Sequence, residues 1–424
     1  MGLKFRLTIM NFLQFFVWGA WMMTLGHYGF VEKQWNGAQF GLVFSTMGFA
    51  SLIMPTLFGI IADKWRANYV YAILHLLFGA TMLFLPSIES PISFFWILLI
   101  AMSFYMPTIG LTNSVSFSVL KKGGEDPIVA FPPIRVWGTV GFIAAMWVTN
   151  FFTKEWGLGY SIKVSFIISA VFAFILGIFS LLSLPQIYSD NNKKEKQSLV
   201  QKLGLEAFVL FKEKKMALFF LFSLLLGAAL QLTNAYGDSF LQDANVFPKG
   251  ELINNFSTII LSISQISETL FILAIPFFMK KFGIKNVMLF SMLAWVLRFG
   301  LFGLADNSIL GFTLIISSCV IYGMAFDFFN ISGALFVEKN THQSIQSSAQ
   351  GLFMLMTNGI GAVLGNIIAG LVIAKWFEHP AIIDGKEILI KNWPGIWITF
   401  AIYALVVAVV FSVVFKYKHN PKDI

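Results

Sequence analysis

The stretch SDNNKKEKQ, residues 189–197, belongs to the longest polar interval of a chain that is otherwise rich in apolar residues. The interval covers residues 185–215 and ends in KEKK, residues 212–215. Six apolar runs precede it and six follow it, so it divides the chain near its middle. Two similar sets of membrane helices joined by a polar connection are typical of carriers whose ligand binds between repeats. We therefore predict an N-terminal six-helix half (1–184), a cytoplasmic linker (185–215) and a C-terminal six-helix half (216–424).

The composition excludes a water-soluble globule. Of the 424 residues, 57% are hydrophobic and only 12% are charged, and the mean hydropathy is +0.77. So much apolar surface cannot be hidden in a soluble core. The single cysteine, Cys319, cannot form an intramolecular disulfide, and the five histidines have no metal-ligand spacing. We predict an all-α polytopic membrane protein without a metal or another cofactor.

Charge-free runs give the predicted spans. About 17 to 25 residues are needed to cross the hydrocarbon layer as a helix, and twelve runs meet this length. They cover residues 7–31, 34–62, 67–88, 90–120, 136–153, 164–189, 216–237, 253–279, 287–305, 309–337, 345–374 and 392–415. With both termini in the cytoplasm, most Lys and Arg residues fall on cytoplasmic segments, as the positive-inside rule requires. This asymmetry predicts cytoplasmic termini.

Several predicted spans carry polar residues on one helical face. A charged side chain near the bilayer centre costs roughly 2.5–3.5 kcal/mol, so such groups tend to face the bundle interior and to serve a function. Spacings of three, four or seven residues place side chains on one face of a helix. The stripes are Arg135, Thr139 and Phe142; Gln231 and Asn234; Gln265 and Glu268; and Tyr322, Phe326, Asp327 and Asn330. We predict that they line a water-accessible cavity from both halves.

Each polar residue of these stripes could instead have a purely structural role. A single buried amide is commonly an interhelical contact. Arg298 has no polar neighbours at helical spacing, so we interpret it as a structural partner of a carboxylate or a helix end. His27 and His75 lie near span ends and are interpreted as interfacial, and Asp238 is interpreted as a solvated helix end. Four polar stripes together favour a functional cavity.

The chemistry of the stripes indicates a polar ligand with a flat face. Removal from water disfavours the ionised form of a carboxylate, so Glu268 and Asp327 are candidates for proton coupling. Carboxylate, amide and arginine groups can bind hydroxyls, while Phe142 or Phe326 can stack on a base. A nucleoside fits this set, and a sugar fits nearly as well.

Specific strings add a resemblance. FPPIRVWGTVGFI (131–143), LLLGAALQLTNAYGDSFL (224–241), SISQISETLFILAIPFF (262–278) and YGMAFDFFNISGALFVEK (322–339) resemble the bacterial nucleoside:proton symporters, or nucleoside permeases, of the major facilitator superfamily. The likeness covers nearly the whole chain. It implies import of nucleosides across the bacterial cytoplasmic (inner) membrane, driven by the proton gradient, and no enzymatic activity. Alternating access would arise as the two halves rock about the cavity.

The resemblance also implies residue roles. Substrate binding is implied for Arg135, Thr139, Phe142, Gln231, Asn234, Gln265, Glu268, Tyr322 and Phe326. Asp327 would be required for transport. The partial G-x-x-x-D-[RK] match at Gly59, Asp63 and Lys64 is similar to the superfamily's gating loop.

Other functions remain as alternatives. A proton-coupled sugar or oligosaccharide transporter of the same superfamily is the nearest one. A membrane enzyme would need a nucleophile or metal constellation, and a receptor would not transport. We expect nucleoside, protons and membrane lipids as partners, no nucleic acid, and a monomer. Ala229 and Asp238 depart from the family pattern, which leaves the preferred base open.

Overall fold

The computed structural model of the chain describes residues 2–185, 205–383 and 386–417. Within these ranges, ten helices are long and apolar enough to cross a membrane. They cover eleven of the twelve predicted spans, because the helix Ser257–Gly303 contains two of them. The remaining span, 7–31, begins with a 17-residue helix, Leu3–Gly19. The predicted all-α polytopic class is confirmed, whereas the count of twelve stays a prediction.

The described residues form two compact units. Unit 1 comprises those of Met1–Lys33 and Leu42–Ser198, and unit 2 comprises those of Gln34–Gly41 and Leu199–Ile424. Most of the predicted linker, 185–215, lies outside the described residues; its described end contains a 3₁₀ helix, Leu205–Lys212. The predicted domain limits at residues 184 and 216 stay predictions.

Residues 2–185 contribute eight α-helices. They are α1 (Leu3–Gly19), α2 (Leu25–His27), α3 (Gly37–Phe44), α4 (Thr46–Lys64), α5 (Ala67–Phe84), α6 (Pro91–Lys122), α7 (Pro127–Thr153) and α8 (Val164–Ser183). A π-helical segment, Tyr28–Glu32, follows α2, and a 3₁₀ turn, Leu85–Ser87, follows α5.

Local sequence explains how these helices start and pack in unit 1. Ser90 caps α6 through a 3.5 Å bond from the Ser93 N–H, and Pro91, which has no N–H to satisfy, occupies the first turn. α7 packs closely on α1 at Gly141, where a Cβ would lie 2.1 Å from the Phe12 carbonyl oxygen. Small residues of this kind let membrane helices approach. The predicted stripe on α7 is therefore held at a fixed distance from α1.

The described residues 205–383 and 386–417 contribute seven α-helices and a hairpin. They are α9 (Lys214–Leu241), α10 (Leu252–Asn255), α11 (Ser257–Gly303), α12 (Ile309–Asn340), α13 (Gln346–Met354), α14 (Ala362–Trp376), β1 (Glu378–Ile383), β2 (Lys386–Lys391) and α15 (Trp393–Val414). A π-helical segment, Leu355–Gly361, joins α13 to α14. Ser308 and Asn392 cap α12 and α15 by accepting bonds from Gly311 and Gly395.

The 47-residue helix α11 is divided at Gly283. This glycine has φ 77° and ψ 168°, a conformation that a residue with a Cβ rarely adopts. Lys285 follows it and donates to the Ser412 carbonyl, at 3.0 Å, which ties the turn to α15. The predicted spans 253–279 and 287–305 lie on either side of the division. Helices α11 and α12 then pack side by side and carry most of the candidate site.

A buried ion pair holds the β1–β2 hairpin, which was not predicted from the sequence. Glu378 and Lys391 are paired residues of the two strands, and their Oε1 and Nζ atoms are 3.3 Å apart. Their side chains are 3% and 5% exposed. Glu378 Oε2 also accepts a 3.0 Å bond from the Gly37 N–H at the start of α3. Burial lowers the pKa of Lys391, and the Glu378 carboxylate opposes that change.

We expect Glu378→Gln to loosen this hairpin, because a buried ammonium that loses its carboxylate costs about 3–5 kcal/mol. Hydrogen exchange of the amides over residues 378–391, measured on detergent-purified protein, should accelerate by more than about tenfold. Glu387→Gln is the matched control, since Glu387 is an exposed residue of β2. Equal exchange in wild type and Glu378→Gln would contradict the structural role of the pair.

Candidate substrate and proton site

The two predicted acids lie on neighbouring helices of unit 2. Glu268 is a half-buried residue of α11, and Asp327 is a buried residue of α12 that is 5% exposed. The two carboxylates interact electrostatically. Among the described residues, Asp327 Oδ2 has no hydrogen-bond partner. The fold thus places a buried carboxylate, Asp327, where it interacts electrostatically with a second one, Glu268.

Gly323 sets the distance between the helices that carry these acids. A Cβ at this position would lie 2.5 Å from the Ser267 carbonyl oxygen and 2.7 Å from the Glu268 nitrogen. Ser267 Oγ donates in addition to the Val320 carbonyl of α12. Sequence analysis missed Gly323. The available signal was a glycine directly beside Tyr322 in an otherwise bulky and polar helix.

Aromatic rings form the flat part of the same cluster. Tyr322 and Phe326 stack with their ring centres 5.7 Å apart and their planes inclined by 19°. Trp295 of α11 meets Tyr322 edge-on at 5.8 Å. The side chain of Gln265 lies next to the Tyr322 hydroxyl. The predicted residues Gln265, Tyr322 and Phe326 are therefore brought together with Glu268 and Asp327; we name these five residues the acidic-aromatic cluster.

The amide stripe of α9 belongs to the same unit. Gln231 and Asn234 are both half-buried, and Thr233, between them in sequence, is 2% exposed. Thr233 Oγ1 accepts a bond from Arg298 Nε at 3.2 Å. The stripe is thus fixed to α11 through a residue that sequence analysis did not select.

Arg298 is a buried cation among neutral partners. It is 2% exposed, and its Nη1 donates to the Ser318 carbonyl at 2.7 Å and to Ser264 Oγ at 3.3 Å. Its guanidinium also lies 4.5 Å from the centre of the Tyr322 ring. The structural interpretation agrees with these contacts in part, but the partners are hydroxyls, a carbonyl and a ring rather than a carboxylate or helix end.

Unit 1 holds the other three predicted binding residues on α7. The guanidinium of Arg135 lies over the Phe15 ring of α1, 4.1 Å from its centre. Thr139 is half-buried. Phe142 is 8% exposed and meets Trp18 edge-on at 6.4 Å. Their stripe thus rests on aromatic residues of α1.

A buried network on α1, α5 and α6 was missed by sequence analysis. Gln14 is its centre: its Nε2 donates to Thr108 Oγ1 at 2.8 Å, and its Oε1 accepts from the Tyr71 hydroxyl at 2.6 Å. The Tyr105 hydroxyl donates to the Gln14 carbonyl at 2.7 Å. The signal was present, because Asn11 and Gln14 have the same three-residue spacing as the selected stripes.

Two interpretations of single residues are wrong. Asp238 is not a solvated helix end: it is 1% exposed, and it accepts bonds from Gln242 Nε2 at 2.6 Å and Ser257 Oγ at 2.7 Å. His75 is not interfacial: it is fully buried inside α5, with Nδ1 2.9 Å from the Tyr71 carbonyl oxygen. The Asp238 bond to Ser257 comes from another helix, whereas the Tyr71 and Gln242 bonds are local, four residues along the chain.

The gating-loop residues lie at the end of α4. Lys64 is exposed, and a Cβ at Gly59 would have no atom within 4 Å among the described residues. The side chain of Asp63 lies outside the described part of the structure. A gating role for these three residues therefore stays a prediction.

Known proteins with related sequences are transporters. The sequence model of the family described as "Nucleoside H+ symporter" matches residues 1–420. The xanthosine permease of Escherichia coli (strain K12) is 47% identical over 427 residues, covering 100% of this chain and 98% of that protein. The nucleoside permease NupG of the same organism is 45% identical over 423 residues, with 99% and 97% covered.

A solved structure agrees with both matches. The crystal structure of the nucleoside transporter NupG superposes with a TM-score of 0.88 at 45% identity, covering 99% of this chain and 100% of that one. The likeness extends over the full fold rather than one half of it. It confirms the predicted helical transporter fold of the major facilitator type. The chain belongs to the nucleoside H⁺ symporter family.

Proposed function

We propose that this nucleoside–proton symporter binds nucleoside and proton at the acidic-aromatic cluster, and that their mutual dependence drives import. The observation that supports this most directly is the pair of acids beside stacked rings. Two carboxylates in a low-dielectric region repel each other, so a proton on either one relieves the repulsion. A ligand that prefers the protonated pair then couples its own binding to the proton.

The groups of the cluster match the parts of a nucleoside. Ribose hydroxyls can donate to Glu268 and exchange bonds with the Gln265 amide. The stacked face of Tyr322 and Phe326 offers a surface for a planar base, because offset aromatic stacking is favourable. Gln231 and Asn234 of the same unit add further amide groups. A sugar lacks the planar base, so the parallel rings and the family both favour the nucleoside.

The remaining roles from the sequence are kept as parts of the proposal. Arg135, Thr139 and Phe142 bind substrate, and Gly59, Asp63 and Lys64 contribute to gating. The protein works as a monomer in the bacterial inner membrane, with lipid around it, with both termini cytoplasmic and with no nucleic-acid partner. The distribution of basic residues supports this orientation. Transport requires no chemical step on the substrate.

We expect Asp327→Asn and Glu268→Gln each to abolish accumulation of labelled uridine in proteoliposomes under an imposed pH gradient, acidic outside. Each change removes one titratable carboxylate and with it the repulsion that a proton relieves. Glu338→Gln is the matched control, because Glu338 is an exposed residue of the same helix as Asp327. Gradient-driven accumulation at the wild-type level in both variants would refute proton coupling at the pair.

We expect Phe326→Ala to raise the KM for nucleosides by roughly tenfold, since base–aromatic stacking contributes about 1–3 kcal/mol and 1.4 kcal/mol is a factor of ten. Initial uptake rates over a panel of nucleosides measure this. Phe326→Trp keeps a stacking face and should retain most of the affinity. An unchanged KM for every nucleoside in Phe326→Ala would count against the contact.

Gly323→Ala should impair uptake by pushing α12 away from the backbone at Glu268. The added methyl group would overlap the Ser267 carbonyl and the Glu268 nitrogen, as the 2.5 Å and 2.7 Å separations require. Gly300→Ala is the control, because a Cβ there meets no atom within 4 Å among the described residues. We expect reduced uptake and thermal stability for Gly323→Ala only. Wild-type uptake in that variant would show that the close approach does not matter.

A further inference from the structure

Arg298 contacts all three helices that carry the proposed binding residues of unit 2. It lies on α11 beyond the division at Gly283, and donates to Thr233 of α9, Ser264 of the first part of α11 and Ser318 of α12. Ser318 Oγ donates back to the Arg298 carbonyl at 2.9 Å. Arg298 is therefore a shared attachment point for four helical segments.

Its contacts are next to the binding residues rather than at random positions along these helices. Thr233 precedes Asn234, and Ser264 precedes Gln265. On α12 the guanidinium lies directly against the Tyr322 ring, 4.5 Å from its centre. On each of these helices, Arg298 therefore contacts a residue that either binds the nucleoside in our proposal or directly adjoins one that does.

A buried arginine with neutral partners is an expensive way to hold helices together. Removing a cation from water has a large desolvation cost, which multiple hydrogen bonds and a ring face only partly offset. The guanidinium has five donors in a rigid fork, a geometry that fixes the angles between its partners. Apolar side chains could fill the same volume without that cost, so the directional contacts themselves are the useful property.

We propose that Arg298 is a positioning residue that sets nucleoside affinity by fixing Tyr322, Gln265 and Asn234 relative to one another. This inference rests on the proposed function of the cluster. Arg298 acts through its contact with the Tyr322 ring, and through the bonds to Thr233 and Ser264 beside Asn234 and Gln265. Its effect falls on substrate binding and is separate from the proton site, since its polar contacts are to neutral groups.

The test uses full-length protein in proteoliposomes, with labelled uridine and initial rates normalised to reconstituted protein. Arg298→Lys keeps the positive charge and loses the fork, so it should raise KM by about tenfold or more while Vmax stays within about twofold. Lys285→Gln is the matched control, because it removes another half-buried cationic attachment of α11, the one to Ser412. It should leave KM unchanged.

A double-mutant cycle with Tyr322→Phe tests whether Arg298 positions the binding residues or only stabilises the fold. The Tyr322 hydroxyl lies next to Gln265, so once it is removed Arg298→Lys should raise KM by less than it does in the wild-type background. Independent, multiplicative effects would overturn the inference. So would a fall in Vmax and thermal stability with no change in KM, which is the result expected if Arg298 supports only the fold.

The outcomes also distinguish this inference from the proposed function. If Tyr322→Phe and Phe326→Ala both leave nucleoside KM at the wild-type value, the assignment of the cluster to nucleoside binding fails. If those variants raise KM but Arg298→Lys does not, the cluster stands and only the positioning role is lost. Uridine binding to purified protein, measured without a gradient, repeats the comparison independently of proton coupling.

Discussion

The cost of placing charge inside membrane-spanning helices determines where the polar groups of this protein lie. The buried charges in the described spans have different surroundings. Asp327 interacts with a second carboxylate, Glu268, whereas Asp238 accepts bonds from an amide and a hydroxyl. Arg298 donates to two hydroxyls and a carbonyl and lies over an aromatic ring. Each of these surroundings includes side chains from more than one helix. The helices are consequently held together at the positions where transport chemistry is proposed.

The sequence was sufficient for what depends on one helix at a time. Hydrophobic length gave the spans, and the three- and four-residue spacings correctly placed Gln265 with Glu268 and Tyr322 with Phe326 on common faces. Spacing fixes a face but not the rotation of the neighbouring helix. That is why Arg298 was judged to lack polar neighbours, although Thr233, Ser264 and Ser318 lie against it.

The errors at Asp238 and His75 have the same origin. Both were judged by their distance from the ends of predicted spans, but α9 continues to Leu241 and α5 encloses His75 within its length. The close helix contacts at glycines are difficult to predict from the sequence for a related reason. Gly141 and Gly323 carry no side chain to identify, but each determines how close two helices come and therefore where Phe12 or Glu268 is held.

The neutral partners of Arg298 are compatible with a pair of acids that can exchange protons. A direct ion pair with Glu268 or Asp327 would stabilise that carboxylate in its ionised form and oppose its protonation. Tyr322 contacts the cation through its ring and interacts electrostatically with both acids. The arginine can then fix the ring and the helix positions, while the two carboxylates interact with each other. Affinity and proton coupling can in this way be adjusted by different residues within one small cluster.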